Sequence, residues 1–154
     1  MYRGGAEQKI RQYLVENNFI DAIIQLPSNL FFGTSISTCI MVLKKSKIDN
    51  NILFIDASQE FLKVTNNNKL TSQNINNIID YYGQRKDISY ISKLASVEDI
   101  KSNSYNLSVN SYVEKQDTSE KIDINVLNFQ IKETVSKIET LRSEIDKIVA
   151  ELEE

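Results

Sequence analysis

The sequence is most informative in what it lacks: among 154 residues it has no histidine, no tryptophan, one cysteine, one proline and four glycines. Without histidine, the commonest general base and the usual zinc ligand are absent. The single Cys39 cannot form an internal disulfide, so the composition is typical of a reduced, cytoplasmic chain and predicts no metal site. The spacing of Gly4, Gly5, Gly33 and Gly83 excludes both the G-x-G-x-x-G and the P-loop motifs that hold dinucleotides and phosphates.

Long apolar runs are missing as well. No stretch approaches the roughly 20 apolar residues that a membrane-spanning helix needs, so we expect a soluble protein without membrane contact. The length suffices for one modest core plus an appendage. Residues 117–154 contain 10 acidic and 5 basic residues, a net charge of −5, whereas the remaining 11 acidic and 13 basic residues give residues 1–116 a net charge of +2. The acidic character therefore lies in the C-terminal tail.

The first 56 residues have the pattern of part of an α/β sheet. Apolar residues at helical spacing predict an amphipathic helix between Gly5 and Asn17. Three nearly continuous apolar runs follow, at residues 19–26, 36–43 and 52–56, and predict strands buried in a parallel or mixed sheet. Cys39 lies in the second run, where a free thiol behaves as a small core residue. Three strands and one helix cannot cover both sheet faces, so we expect something else to cover the rest.

The middle of the chain is less regular. Residues 61–69 form a polar connection that is rich in asparagine. Apolar residues at three- and four-residue spacing predict a short helix around residues 75–82 that ends at Gly83. Ser96 begins a capping-box pattern, which predicts a helix over residues 97–102. Residues 103–112 are expected to be irregular or to form a short strand.

The C-terminal tail carries a heptad repeat. After a polar linker at residues 114–121, the segment 122–154 has apolar residues at eight of nine a and d positions. These are Ile124, Leu127, Ile131, Ile138, Leu141, Ile145, Ile148 and Leu152. The pattern predicts a coiled-coil helix, although Val135 and Val149 at e positions widen the apolar face and leave a three- or four-helix bundle open. We expect this helix to pack on another chain rather than to fold back on its own domain.

No catalytic constellation of nucleophile, base and metal ligands is visible in the sequence. Asp56 ends the third apolar run, and its carboxylate is either functional or a cap for residues 59–61. The loop at residues 26–36 is the sharpest feature, because Phe31 and Phe32 stand beside Gly33 and precede Thr34. An aromatic ring there either stacks on a planar ligand such as a base or fills the core.

A lysine cluster follows the second apolar run. Lys44, Lys45 and Lys47 are close together in the sequence. They are candidates for contact with phosphate groups, although such a cluster is more often a solvated strand end.

Several motifs resemble the C-terminal part of the modification (M) subunit of type I restriction-modification systems, a family of N6-adenine DNA methyltransferases. The specific stretch is D-A-I-I-x-L-P-x-N-L-F at Asp21–Phe31. The other matching pieces occur in family order across residues 4–114 and are Gly5-Ala6-Glu7, Thr34-Ser35-Ile36, Leu53–Ser58, Asn106-Leu107 and Tyr112-Val113. The sequence departs from the family at Asn110-Ser111, where Pro-Arg is common, so no contact by that arginine is expected.

The resemblance implies an α/β fold. Residues 1–113 are expected to form the C-terminal partial sheet of a seven-stranded, Rossmann-like, S-adenosylmethionine-dependent methyltransferase domain, followed by small helices and the long coiled-coil helix. The family's glycine-rich cofactor loop and its Asn-Pro-Pro-aromatic catalytic loop are both missing, and a chain with one proline cannot contain the second. We therefore expect this chain alone to bind no S-adenosylmethionine and to be inactive.

The resemblance also implies partners. Phe31 matches the ring that stacks on the flipped adenine in related enzymes. The C-terminal helix is expected to pack on the specificity (S) subunit, with the rest of the M subunit, the restriction (R) subunit and DNA present in the full complex. The alternative is a non-catalytic interaction module that forms a homodimer through its coiled coil and modulates such a complex.

Overall fold

The computed structural model describes residues 1–116 and 123–153, except for the side chains at 151 and 153. The chain divides into two units, Met1–Gln116 and Asp117–Glu154. Of the linker predicted at residues 114–121, residues 117–121 lie outside the described residues. Within the described ranges, no helix combines the length and the apolar character needed to cross a membrane.

The first unit combines helices with a mixed sheet. Its helices are α1 (Ala6–Glu16), α2 (Ser72–Gln84) and α3 (Val97–Ser102), and Val109–Ser111 forms one 3₁₀ turn. Its strands are β1 (Ile20–Gln25), β2 (Cys39–Leu43), β3 (Ile52–Asp56), β4 (Leu62–Val64), β5 (Asn67–Lys69) and β6 (Ser92–Ala95). The second unit contains the helix α4 (Ile124–Glu153).

Four strands form the main sheet in the order β2-β1-β3-β6. The central pair, β1 and β3, is parallel, whereas β2 pairs antiparallel with β1 and β6 pairs antiparallel with β3. The sheet is therefore mixed, which is one of the two arrangements that the apolar runs predicted. The strands β4 and β5 form a separate antiparallel hairpin, called the β4–β5 hairpin below.

A core cluster lies on each face of the sheet. On one face, Ile23 and Phe54 pack with Val15 of α1 and Ile100 of α3, and the Phe54 ring stacks on the Tyr112 ring with centroids 4.0 Å apart. On the other face, Ile24 and Ile55 of the sheet pack against α2 through Ile78, among other residues. Burial of both faces explains why β1 and β3 read as continuous apolar runs.

Several predicted elements are confirmed. The helix α1 occupies the predicted interval after Gly5, and β3 spans the predicted residues. The side chain of Ser96 accepts from the amide of Asp99, and the Asp99 carboxylate accepts from the amide of Ser96, so α3 begins with the predicted capping box. Capping depends on neighbouring residues only, which makes it readable from sequence.

The prediction for β2 is wrong in two respects. The strand begins at Cys39 rather than at residue 36, and its side chains are exposed or half-buried rather than buried. Within the described residues β2 pairs with β1 alone, so it is an edge strand of the sheet. Cys39 is accordingly exposed and is not a core residue.

Two elements were missed by sequence reasoning. The polar connection at residues 61–69 contains the β4–β5 hairpin, and Ser92–Ala95 adds β6 to the sheet. The helix α2 begins with a capping box at Thr71 and continues past Gly83 to Gln84, followed by Arg85 with a left-handed backbone. Residues 103–112 contain turns and the 3₁₀ helix, so the irregular alternative of that prediction is the correct one.

Candidate functional site

The carboxyl ends of β1 and β3 lie at one edge of the sheet, called the carboxyl edge here. The two strands are parallel, and Gln25 is paired with Asp56 at their ends. The amide of Ala57 donates to the carbonyl of Gln25 at 2.9 Å, so the segments that leave the two strands start side by side. Open α/β sheets bind ligands outside the carboxyl ends of their strands, so this edge is the candidate binding site.

The aromatic loop, residues 27–38, leaves β1 at the carboxyl edge. The amide of Thr34 donates to the carbonyl of Phe31 at 3.3 Å, and Gly33 has a φ of 78°, as the third residue of a type II turn requires. Phe31 is 50% exposed and Phe32 is 97% exposed, whereas Leu30 packs against the core. Neither phenylalanine belongs to a core cluster, whereas Leu30 packs against one.

The carboxylate of Asp56 at the end of β3 has a local role. Its Oδ1 accepts from the amide of Ser58 at 2.9 Å, which satisfies one donor of the turn that follows the strand. Of the two interpretations of Asp56, this contact favours the structural one, with the bond made to Ser58 rather than to residues 59–61.

The β4–β5 hairpin leaves β3 at the same edge and is bound to the aromatic loop. The Asn68 side chain donates to the carbonyl of Ser28, and the Asn68 amide donates to the carbonyl of Asn29, both at 2.8 Å. A cavity of about 330 Å³ lies between the two segments. Its lining is Asn29, Phe61, Lys63, Thr65, Asn66 and Asn68. Amide, hydroxyl, ammonium and aromatic groups thus meet in one concave surface.

The base of the β4–β5 hairpin is held on α2 by the carboxylate of Glu60. The side-chain amides of Asn74 and Asn77 each donate to Oε2 at 3.0 Å, and the Tyr81 hydroxyl donates to Oε1 at 3.1 Å. Burial raises the pKa of Glu60, but these three hydrogen bonds outweigh it and leave the pKa below its usual value.

Lys44 and Lys45 lie at the opposite edge of the sheet from the aromatic loop. The strand β2 runs antiparallel to β1, and Leu43 pairs with Ile20 at the beginning of β1. The Lys44 amide donates to the carbonyl of Phe19 at 2.8 Å. The structure therefore does not bring these lysines together with Phe31, Phe32 and Thr34.

Lys44 instead belongs to a charged cluster around Asp21. A bulge between Ile20 and Ala22 turns the Asp21 side chain toward α2. There its carboxylate accepts from the Tyr82 hydroxyl and from Arg85 Nη1 at 2.8 Å, while Lys44 Nζ is 3.5 Å away.

This cluster stabilises the ionised form of Asp21. Burial raises the pKa of the Asp21 carboxyl, but the Tyr82 hydrogen bond and the nearby Arg85 and Lys44 charges outweigh that effect and lower it. The hydrogen bond to Asp21 is in turn the main cause of the raised pKa of the Tyr82 hydroxyl. Sequence reasoning missed the cluster, and the only signal was an aspartate inside an otherwise apolar strand.

Lys47 is buried rather than available to phosphates. Only 3% of its side chain is exposed, and Nζ donates to the carbonyls of Ile20 at 2.8 Å and Asn51 at 2.6 Å. Burial lowers the pKa of Lys47, with Asp49 and Asp21 opposing the shift. The ammonium closes the turn between β2 and β3, and the phosphate-contact prediction for Lys47 is wrong.

The helix α4 exposes its heptad positions. The eight apolar a and d side chains from Ile124 to Leu152 are between 44% and 81% exposed. One i to i+4 ion pair, between Glu133 and Lys137, lies along the helix. The helix therefore presents an apolar seam, defined here as these eight residues.

Comparison with known families and proteins gives one consistent result. The family model for N-6 DNA methylases matches residues 1–121. The methylase subunit of the type I restriction enzyme MpnII from Mycoplasma pneumoniae is 44% identical over 99% of this chain, which spans 28% of that relative. The corresponding MjaVII subunit from Methanocaldococcus jannaschii is 38% identical over 94% of this chain, which spans 26% of it. The chain thus spans about a quarter of the length of these curated relatives.

Solved structures agree with this result. The methyltransferase subunit of a type I restriction-modification system from Streptococcus thermophilus superposes with a TM-score of 0.72 and 45% identity, covering 74% of this chain and 24% of that one. A second solved structure comes from work on complex assembly and conformational transition of the type I restriction-modification system. It matches with a TM-score of 0.59, and the match covers 96% of this chain and 33% of the chain in that structure. At 16% identity, that second likeness shows the fold alone.

Proposed function

Because this chain belongs to the N-6 DNA methylase family, we propose that it supplies the target-base side of a type I restriction-modification methylase subunit. The observation that carries the proposal is the aromatic loop at the carboxyl edge, with the Phe31 and Phe32 rings exposed and the loop fixed by Leu30. In this role Phe31 stacks on the adenine that is turned out of the duplex. The reaction is transfer of a methyl group from S-adenosylmethionine to adenine N6.

The cofactor is held outside this chain. The glycines of this chain have other structural positions: Gly5 precedes the first turn of α1, Gly33 lies in the turn of the aromatic loop, and Gly83 lies within α2. They do not form the spaced glycine-rich loop that holds such a cofactor, so we assign this chain no step in which S-adenosylmethionine takes part.

The remainder of the subunit completes the sheet along β2. An edge strand with an unpaired backbone normally carries charges or is short, whereas β2 has the apolar sequence Cys-Ile-Met-Val-Leu. A groove of about 170 Å³ lined by Val42, Ile24 and α2 residues flanks it on one side. A cleft of about 430 Å³ that includes Ile23 and Cys39 flanks it on the other. These surfaces suit a further strand with covering helices.

The apolar seam of α4 docks on a helical partner, which we propose is the specificity subunit. Eight apolar side chains at a and d positions would otherwise stay in water, at a cost of about 1 kcal/mol or more for each. The same seam suits a second copy of this chain. Sedimentation of the isolated chain distinguishes these readings, because a homodimer gives a concentration-dependent mass and the proposed docking to another subunit gives a monomer until that subunit is added.

A chimaera tests the proposed function directly. This chain replaces the matching segment of the Mycoplasma pneumoniae MpnII methylase subunit, and methyl transfer to adenine is measured with the specificity subunit present. We expect an active chimaera, and a loss of about tenfold to a hundredfold in Phe31→Ala because a base-stacking contact is removed. The matched control is Phe129→Ala, at an outward f position of α4. Equal activities of the two variants would contradict the role of Phe31.

A further inference from the structure

We propose that the β4–β5 hairpin is a DNA-binding element, and that the cavity between it and the aromatic loop takes the sugar-phosphate backbone beside the target base. The inference rests on the proposed function, because it places DNA at the carboxyl edge. It adds a second binding surface that the motifs of the sequence do not mark. Lys63 and Thr65 are its contact residues, and Asn68 is its positioning residue.

The β4–β5 hairpin lies at the same edge of the sheet as the aromatic loop. It follows β3 as the aromatic loop follows β1, and both leave the carboxyl edge because β1 and β3 are parallel. The two hydrogen bonds from Asn68 to Ser28 and Asn29 join the hairpin to the loop that holds Phe31. A nucleotide that reaches the Phe31 ring therefore brings its neighbouring phosphates to the hairpin.

The groups that line the cavity are suited to bind phosphates. Between residues 61 and 69 there are two lysines and no acidic residue, although the whole chain has a net charge of −3. Lys63 lines the cavity, is exposed, and forms no ion pair within the part of the chain that the structure describes. The side-chain amides of Asn29 and Asn66 add hydrogen-bond donors to the lining. Protein contacts to DNA phosphates use these groups.

The turn of the β4–β5 hairpin has a strained backbone. Thr65 has a φ of 51°, at the first position of a two-residue turn between β4 and β5, where glycine is the preferred residue. A β-branched residue is strained in this conformation. Asn29 on the other wall of the cavity has a φ of 52°, a conformation that asparagine tolerates, so the strain lies at Thr65. A strained β-branched residue in an exposed turn is typical of a functional site, because glycine would serve a purely structural turn better.

The hairpin is also held rigidly, as a binding element needs to be. At its base, Glu60 is bound by three side chains of α2, and Thr71 caps the first turn of the same helix immediately after Leu70, which packs into the core. The exposed tip is thus presented from a fixed base. This limits the conformational entropy that is lost when DNA binds.

The test uses the full 154-residue chain and a fluorescein-labelled 30-base-pair duplex, with binding followed by anisotropy between 50 and 200 mM salt. We expect Lys63→Gln to bind about fivefold more weakly and to lower the salt slope by about 1, because one phosphate contact is lost. The matched control is Lys9→Gln, which removes the same charge from α1. Equal effects of the two substitutions, or no binding by the wild-type chain at 50 mM salt, would overturn the proposal.

Two further variants separate binding from folding. Thr65→Gly relieves the strained turn, so we expect a melting temperature at least as high as the wild type together with binding about threefold weaker. Asn68→Ala loosens the link to the aromatic loop but keeps every charge, so we expect weaker binding with an unchanged salt slope. A Thr65→Gly chain that binds DNA as well as the wild type would mean that the turn has only a structural role.

Assigning the amide signals of the chain by NMR distinguishes this proposal from the function on which it rests. With the same duplex added, we expect the shifted signals to cluster at residues 61–69 and 29–34. If the chimaera methylates DNA and depends on Phe31 while the hairpin signals stay unchanged, the inference fails and the proposed function stands. If the hairpin signals shift and the chimaera is inactive, the proposed function fails while the DNA-binding surface remains.

Discussion

Two regions of this chain differ in whether their apolar side chains are buried or exposed. In β1 and β3 almost every side chain is buried, because α1 and α3 cover one face of the sheet and α2 covers the other. In α4 all eight seam residues are exposed, and β2 is exposed or half-buried. The first region buries its apolar side chains within the chain, whereas the second leaves apolar surface exposed, where we propose that partners bind. On this proposal, different residues are responsible for stability and for assembly.

The largest expected effect is on the free energy of unfolding, and it compares a phenylalanine from each of the two regions. Phe54→Ala empties a fully buried site beside the Tyr112 ring, so we expect it to lower the free energy of unfolding by about 3–5 kcal/mol. Phe129→Ala removes a ring that is 67% exposed on α4, and we expect a change below about 0.5 kcal/mol. Urea denaturation followed by circular dichroism measures both. Similar losses in the two variants would remove the distinction between the regions.

The Asp21 cluster gives the next largest effect. Asp21→Asn breaks a buried interaction with Arg85, and because Arg85 is partly exposed we expect a loss of about 2 kcal/mol at pH 7. The pKa of Asp21 is lowered in the folded chain, so its contribution is present above the unfolded value of 3.8 and is lost as the pH falls below it through the folded pKa.

Denaturation of the wild type and of Asp21→Asn between pH 7 and pH 2 checks this prediction. The difference in stability between the two proteins should shrink as the pH falls below about 3.8. Asp80→Asn, an exposed position on α2, serves as the control and should follow the wild type. A difference that stays constant across this range would show that the Asp21 charge does not stabilise the fold.

The seam of α4 gives an effect on assembly alone. Leu141→Asp places a charge at a d position, so we expect binding to the specificity subunit to weaken by at least about tenfold, with the stability of residues 1–116 unchanged. Ser143→Asp at an f position is the control, because it places the same charge on the outward face of the helix. Calorimetric titration with the purified subunit measures both variants. Equal binding by the two would mean that the seam is not the docking surface.

The smallest effect concerns Glu60, which joins the β4–β5 hairpin to α2. Glu60→Gln removes the charge from its three hydrogen bonds, so we expect a loss of about 1 kcal/mol. Glu98→Gln on the exposed face of α3 is the control. Thermal denaturation of the two variants compares them, and an unchanged melting temperature in Glu60→Gln would show that the hairpin does not need this anchor.

Sequence reasoning succeeded where structure depends on neighbouring residues. The capping box at Ser96 and the helix after Gly5 follow from spacing over a few positions. It failed where the cause is distant in sequence. Ser92–Ala95 forms a strand because it pairs with β3, which is distant in the sequence. Likewise, Asp21 binds Tyr82 and Arg85, which lie more than 60 residues later in the chain.

The site shows the same division. The loop that holds the aromatic pair was found from sequence because adjacent phenylalanines beside a glycine mark a loop, but the sequence left open whether the rings are exposed or fill the core. The β4–β5 hairpin was missed, because its strands of three residues are too short to show an alternating pattern. Lys44 and Lys45 were candidates for phosphate contact, and the antiparallel pairing of β2 puts them at the sheet edge opposite the aromatic loop.

Hydrogen exchange of the backbone amides tests whether the core is stable by itself while β2 and α4 depend on partners. It is measured in the isolated chain and after assembly with the remaining part of the methylase subunit and the specificity subunit. We expect slow exchange of β1 and β3 in both states. Because β2 pairs with β1 alone within the described residues, we expect residues 39–43, together with residues 124–152, to exchange faster than β1 and β3 in the isolated chain and to gain protection after assembly. If β2 and α4 are already as protected as β1 and β3 in the isolated chain, or gain no protection in the complex, the proposed division between a self-sufficient core and partner-dependent surfaces is contradicted.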